Sequence, residues 1–498
     1  SYTDFLAAKA QVADETGFPD VDPAHINPAL MPHQRDAVEW AVRGGRRAIF
    51  ASFGLGKTII QLEAVRLTMQ HVGPHARGLI VLPLGVRQEF KRDARMLGMP
   101  EPTFVRSHHD ANTPGMYMTN YESVRDGKLD PTGFDVVSLD EAAILRGFGG
   151  TKTFRELMAK YEGSSAYRFV ATATPSPNDY IELLAYAAFL DILDVGQAKT
   201  RFFKRDSEHA DNLTLLPHME QAFWHWVASW ALFINSPSDL GYSDDGYQLP
   251  PIEVHWHEID AAEIAEVKFD RDGRGELFRD ASLGVQAAAA EKKASIPGRV
   301  EKMREIIDAA PAGEHFLIWH DQEAERHAIQ KAVPEAVSVW GSQDLDEREA
   351  RIIGFSDGDF PYLSTKPVIA GSGCNFQRHC ARAVFVGIGF KFADFIQAIH
   401  RIHRFGQTRP VRIDLIYTSA EATIRAKLER KWRNHDALVS RMTDIVKEYG
   451  ITADAIQGGL RRTGEPDGQE VTCTAGDVSA RMILGDSVIQ LGSVDSDS

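Results

Sequence analysis

Cysteine is scarce in this 498-residue chain: only Cys374, Cys380 and Cys473 occur. Three unevenly placed thiols cannot build a disulfide framework, which points to a reducing compartment. No apolar run approaches the roughly 18 residues that a membrane span needs, so no membrane partner is expected. Residues 1 to 18 are polar and acidic. They lack the charged start and apolar middle of a secretory leader, and a cytoplasmic location is the expectation. Excess positive charge is missing too, since 55 Lys and Arg against 70 Asp and Glu leave −15. That balance argues against a surface coated with basic side chains for holding nucleic acid. Repeats and low-complexity segments are absent as well. What is present is a globular composition, 43% hydrophobic and 25% charged, away from that of disordered chains. At about 100 to 200 residues per domain, the length allows two to four domains.

From about Leu30 onward, short apolar runs alternate with helix-like stretches. RRAIF before Ala51, GLIVLPL at 78 to 84, GMYMTN at 115 to 120, FDVVSLD at 134 to 140 and YRFVATAT at 167 to 174 each look like a buried strand. Between them lie segments of helical periodicity such as TIIQLEAVRLTMQ at 58 to 70. Residues 191 to 248 break the pattern and read as a helical insert, with Trp224, Trp226 and Trp230 close together. After LPPIEVHWHEI at 249 to 259 the alternation resumes with EHFLIWH at 314 to 320, AVSVWGS at 336 to 342, KPVIAGS at 366 to 372, ARAVFVG at 381 to 387 and VRIDLIYT at 411 to 418. The alternation implies an α/β chain of two parallel-sheet halves, 30 to 190 and 249 to 428. Residues 1 to 29 form an N-terminal extension, 429 to 457 C-terminal helices, and 458 to 498 a linker and tail.

The strand RRAIF runs into Ala51-Ser52-Phe53-Gly54-Leu55-Gly56-Lys57-Thr58 and then into a helix, the context a nucleotide loop requires. Glycines let backbone amides turn toward phosphate oxygens, Lys57 adds positive charge, and the Thr58 hydroxyl can ligate magnesium. Downstream, Asp140 and Glu141 close an apolar strand. Asp140 would hold magnesium and Glu141 would polarise the attacking water, although an acidic pair at a strand end is also common as solvated loop chemistry. In the second half, QAIHRIHRFGQ at 397 to 407 carries Arg401 and Arg404 three residues apart, on one face of an expected helix. They read either as arginine fingers, each worth about a thousandfold in rate, or as solvated arginines.

QAIHRIHRFGQTRPVRI resembles motif VI of the superfamily II helicases, specifically the Swi/Snf-like DNA translocases, and further segments fall in order. LMPHQRDAVEW at 30 to 40 resembles the adenine-recognition segment, ASFGLGKT motif I, VLPLGVRQEF motif Ia, MTNYESV at 118 to 124 motif Ib, LDEAA motif II, TATPSPND at 172 to 179 motif III and STKPVIAGSGCNFQ at 364 to 377 motif V. The resemblance covers roughly 30 to 428. It implies two tandem RecA-like lobes and an ATP hydrolase that uses ATP and Mg2+ to move on double-stranded DNA.

Carried over residue by residue, the resemblance makes Gln34 the adenine reader. Gly54, Gly56, Lys57 and Thr58 bind triphosphate and magnesium, and Asp140 and Glu141 are the hydrolysis pair. Arg401 and Arg404 become the fingers, and Gln397 positions water or γ-phosphate. Thr172 and Thr174 couple hydrolysis to lobe movement, and Pro83, Thr119, Asn120, Thr365 and Lys366 contact nucleic acid. Where many relatives have His or Asp, motif II ends in Ala143, so one link to motif III is missing. A strand-separating helicase, or a scaffold that uses ATP only as a switch, are the alternatives.

Other groupings read as structural. Cys374, His379 and Cys380 offer three zinc ligands without a second cluster, so packing is expected. His400 and His403 read as exposed or packing residues, and the three tryptophans as a buried face. ILGDSVIQL at 483 to 491 resembles the opening of amino-methylating DNA methyltransferases, without their catalytic motif. It is either the start of a methyltransferase domain in cis or a solvated tail after one short strand. A compact core beside such a segment suggests, by analogy, a bacterial or phage protein of DNA modification, restriction or defence. From Lys366 to Arg412 eight Lys and Arg stand against Asp394 alone, a local basic track within an acidic chain.

Overall fold

The computed structural model describes residues 13–146, 167–176, 180–205, 213–259, 293–370, 375–389, 392–451, 480–484 and 487–491. The chain divides into two compact units, Ser1–Tyr247 with Arg433–Thr472, and Gln248–Trp432 with Cys473–Ser498. Both are α/β and each is built on a large, mainly parallel sheet.

The first unit contains the helices α1 (Pro32–Gly44), α2 (Lys57–Val72), α3 (Arg87–Met96), α4 (Tyr121–Arg125), α5 (Leu183–Phe189), α6 (Val195–Phe202) and α7 (Glu220–Ala228). Its strands are β1 (Arg46–Ala51), β2 (Arg77–Leu82), β3 (Thr103–Phe104), β4 (Gly115–Asn120), β5 (Val136–Asp140), β6 (Tyr167–Ala171), a small pair β7 (Phe203–Arg205) and β8 (Leu213–Leu215), and β9 (Ala231–Ile234). Seven of them form one sheet in the order β3-β4-β2-β5-β6-β1-β9, and every neighbouring pair is parallel.

A strand presents alternate residues to opposite faces, and here each face has its own core. Ile49, Ile80 and Val136 pack with Val38, Ile60 and Phe90 of α1, α2 and α3. Phe50, Leu79 and Val137 pack on the other face with Leu184, Phe202 and Trp226 of α5, α6 and α7. Parallel strands buried on both faces read as continuous apolar runs, which is why the sequence shows runs in place of alternation.

The stretch read as a helical insert belongs to this unit. Besides α6 and α7 it contributes β9, which pairs with β1 from Ala48↔Ala231 to Ala51↔Ile234. Trp224, Trp226 and Trp230 are buried, as expected, and Trp226 stacks on Phe202 with ring centroids 5.0 Å apart.

The second unit comprises β10 (Ile252–Ile259), α8 (Ile296–Asp308), β11 (His315–Trp319), α9 (Glu323–Ala332), β12 (Val337–Ser338), α10 (Leu345–Asp357), β13 (Tyr362–Thr365), α11 (Pro367–Ala370), β14 (Cys380–Phe385), α12 (Phe392–Ile399) and β15 (Val411–Thr418), followed by the long α13 (Ala422–Tyr449). The boundary between the units falls within α13, between Trp432 and Arg433. The pair β16 (Ala480–Leu484) and β17 (Ser487–Leu491) completes a sheet of order β12-β13-β11-β14-β15-β10-β16-β17. All neighbours are parallel except β16 and β17.

One expected strand is displaced. In KPVIAGS at 366 to 372, the described residues 366 to 370 are not a strand, because β13 lies just upstream and Pro367 opens α11. Proline has no N–H for a sheet ladder but suits the first turn of a helix. ILGDSVIQL contributes two strands rather than one.

Candidate active site

β1 ends at Ala51, and the chain then turns through Ser52 to Gly56 into α2. Gly54 and Gly56 adopt φ of +90° and +80°, a region that other residues enter only at a cost. Gly56 is the N-cap of α2, so the loop delivers the helix's free amides and the positive end of its dipole to one point. Lys57 Nζ donates to the carbonyls of Ala51 at 2.9 Å and Ser52 at 3.4 Å, lying across the loop. Thr58, half-buried, follows as the second residue of α2.

Gln34 reaches this loop from α1. Its Nε2 donates to Leu55 O at 3.1 Å while its Oε1 accepts from Met31 N at 3.0 Å. A Cβ placed on Gly56 would stand 2.3 Å from Gln34 Nε2, so both glycine's φ and its lack of a side chain are used. On the other flank, Ser52 N donates to Ile234 O at 2.8 Å and Ser52 Oγ to Asn235 Oδ1 at 2.7 Å.

Asp140 and Glu141 sit at the carboxyl end of β5. Asp140 is buried, and desolvation together with the neighbouring Glu141 carboxylate pushes its pKa up to about 7, while Gln61 and Lys57 pull it down. A cation at the site would lower it further. Gln61 Nε2 donates to Asp140 Oδ1 at 2.8 Å, and Tyr121 Oη donates to the Asp140 carbonyl at 2.6 Å. Glu141 has φ +46°, a left-handed conformation that costs about 1 kcal/mol or more in a non-glycine residue and concentrates at functional sites. Its Oε2 accepts from Thr172 Oγ1 at 3.4 Å, and Thr172 N donates back to Ile49 O on β1 at 3.3 Å. The Thr174 amide donates to Thr172 Oγ1 at 3.2 Å. A path from the acid to the 172–174 segment therefore exists although Ala143 carries no side chain able to form it. Pro177, Asn178 and Asp179 lie outside the described residues.

The ends of β1, β5 and β6 thus bring Lys57, Asp140, Glu141 and Thr172 to the same edge of one parallel sheet, the edge where α/β folds bind ligands. Pro83, Thr119 and Asn120 follow or end β2 and β4 on that edge too. Thr119 is buried, with its hydroxyl donating to Val105 O at 2.8 Å. Asn120 is held by Glu122 at 2.8 Å and Ser123 at 2.5 Å.

In the second unit, Thr365 and Lys366 end and follow β13. The Thr365 side chain is fully buried, and Lys366 pairs with Glu323 at 3.1 Å. Gln397 lies in the last turn of α12, and Arg401 Nε donates to its carbonyl at 3.2 Å. The expectation that Arg401 and Arg404 share a helical face is corrected, because α12 ends at Ile399 and both arginines lie in the turns that follow. Gln407, which no sequence pattern singled out, organises those turns. Its Nε2 donates to Cys380 O and Ile402 O, both at 3.0 Å, and its Oε1 accepts from the amides of Thr408 and Arg409. Burial lowers the pKa of His403, whose Nε2 lies 2.9 Å from Pro250 O. Cys380 is buried, and Cys374 lies outside the described residues.

Among the described residues no group of three or more His, Cys, Asp and Glu could hold a metal by itself. The Thr58 hydroxyl and the Asp140 carboxylate are hard oxygen donors of the kind magnesium takes alongside phosphates and waters, so the residues present fit that ion. Among the described residues no helix is long and apolar enough to cross a membrane. No protein-family model matches the chain, and no curated protein matches it.

Proposed function

We propose that the chain is an ATP hydrolase that converts nucleotide turnover into movement on double-stranded DNA, with two RecA-like lobes of the Swi/Snf-like type. The observation that carries this reading is the convergence of Lys57, Asp140, Glu141 and Thr172 at one sheet edge, with Gln34 tied to the phosphate loop.

In this reading the loop amides and Lys57 take the β- and γ-phosphates, and Thr58 and Asp140 would hold magnesium, which would supply charge neutralisation of the phosphates. Glu141 orients a water oxygen against the γ-phosphorus. The new P–O bond forms as the bond to the leaving ADP oxygen breaks, and the water proton passes to the carboxylate. Thr172, hydrogen-bonded to Glu141 and to β1, senses the change at the acid and conveys it through Thr174. The resemblance makes Arg401 and Arg404 the arginine fingers and gives Gln397 a part in positioning water or γ-phosphate. Pro83, Thr119, Asn120, Thr365 and Lys366 belong to the DNA track.

Phosphate release measured without nucleic acid, with single strands, with duplex DNA and with RNA tests enzyme and partner together. Duplex DNA should stimulate most, and Lys57→Ala or Glu141→Ala should abolish the stimulated rate. Undiminished turnover in both variants would sink the site, and equal stimulation by RNA would sink the partner.

A further inference from the structure

β5 is apolar except at two positions, Ser138 and Asp140, which are two residues apart and so lie on the same face. That face is covered by α2, and the side chain meeting both polar groups is Gln61. Four residues after Lys57 and three after Thr58, Gln61 lies on the same side of α2 as the two phosphate-loop residues. Its Nε2 donates to Asp140 Oδ1 at 2.8 Å, and its Oε1 accepts from Ser138 Oγ at 2.8 Å. Gln61 and Ser138 are fully buried and Asp140 is 5% exposed.

An amide can face a carboxylate with either end, but only the NH2 end is favourable. The Asp140 carboxylate accepts only and so takes the nitrogen end, while the Ser138 hydroxyl donates to the oxygen end and secures that orientation. The carboxylate backbone is fixed separately, by Tyr121 at 2.6 Å. One oxygen of Asp140 is therefore committed to the protein by a neutral donor, which steadies the side chain without supplying the charge that a cation would bring.

Resting on the hydrolysis reading above, we infer that Gln61 is a positioning residue for Asp140: it fixes the carboxylate so that Oδ2 is presented to the metal ion that accompanies the nucleotide. Because Gln61 belongs to the helix whose first turn carries Lys57 and Thr58, the metal ligand and the phosphate ligands move as one body. A lysine here would compete with the cation by charge, and a glutamate would repel Asp140.

Full-length Gln61→Met, which keeps the length but removes the amide, and Ser138→Ala, which frees the amide to turn, test the inference. Partners that orient metal ligands are worth about 10- to 100-fold in metal affinity. Gln61→Met should raise the Mg2+ concentration for half-maximal ATP turnover by about tenfold or more, with a smaller fall in kcat. Mn2+ binding to the ADP complex, followed by electron paramagnetic resonance, should weaken in parallel, and metal-free ADP binding should hold. Ser138→Ala should shift both readouts in the same direction by less, and it decides the matter alone if Gln61→Met does not fold. Unchanged metal dependence in the folded variants, with only a lower Tm, overturns the inference and leaves hydrolysis intact. A parent chain that neither hydrolyses ATP nor binds Mn2+ with ADP overturns both.

Discussion

His320, at the carboxyl end of β11, is 1% exposed, and burial together with the Lys366 charge lowers its pKa to about 4. In the unfolded chain the same imidazole is free to protonate near its ordinary value of 6.5, so the unfolded state binds more protons between those two pH values. The stabilising contribution of the neutral ring is complete above pH 6.5 and is lost as pH falls toward 4. At about 1.4 kcal/mol for each pH unit between the two values, the loss has a ceiling of about 3 kcal/mol. His320→Gln should therefore flatten the acid limb of thermal unfolding, losing less Tm between pH 7 and 4.5 than the parent does. An identical acid limb in the two proteins would contradict this. At this scale legibility in the sequence is uneven. Lys57, Asp140 and Glu141 can be found because each belongs to a short local pattern of strand, turn and helix. Gln61 cannot, because its partners Ser138 and Asp140 are distant along the chain. The usable clue to Gln61 is that Ser138 and Asp140 share one face of an otherwise apolar strand, which demands a buried polar partner.

Among the elements, β9 has the largest bearing on the site. Its four residues are all buried, so no alternation marks it, and the aromatic helix before it draws the whole stretch toward a helical reading. Yet Ala48 N donates to Trp230 O at 2.8 Å and Ser52 N to Ile234 O at 2.8 Å, so β9 supports β1 and the first residue of the loop that follows it. Trp226 anchors α7 beside β9 through Phe202 and, edge-on at 5.4 Å, Trp230. Trp226→Ala should cost about 3 to 5 kcal/mol in unfolding free energy. On the proposed reading it should also weaken ATP binding at a temperature where the variant remains folded, because the loop's flank loosens with β9. Denaturant unfolding and nucleotide titration check the two halves, and undiminished nucleotide affinity would show that β9 supports the sheet without supporting the loop. The other strands of the first sheet, apart from the two-residue β3, are legible as apolar runs. KPVIAGS is misplaced because an apolar run does not show on which side of a proline the ladder lies.

For the whole molecule, the opposition between a net charge of −15 and the basic stretch from 366 to 412 is partly resolved by pairing. Lys366 meets Glu323, Arg382 and Arg409 meet Glu314, and Arg412 meets Asp414. At least four of the eight cations are thus paired with carboxylates, so the stretch is less an open basic track than its composition suggests. Binding to a polyanion releases about 0.9 counterions per neutralised phosphate of duplex DNA, so the slope of log K against log salt counts the contacts. On the proposed reading, Glu323→Gln removes the carboxylate competing for Lys366 while leaving the DNA track in place. Duplex binding should then tighten at low salt, and the slope should steepen by up to about one unit. Lys366→Gln should give the reverse, and in the double variant the effect of Glu323→Gln should vanish. The two affinities converge as salt rises, because the added contact is purely electrostatic. A slope unchanged by Glu323→Gln would mean that Lys366 serves the ion pair alone and that the polyanion path lies elsewhere on the second unit.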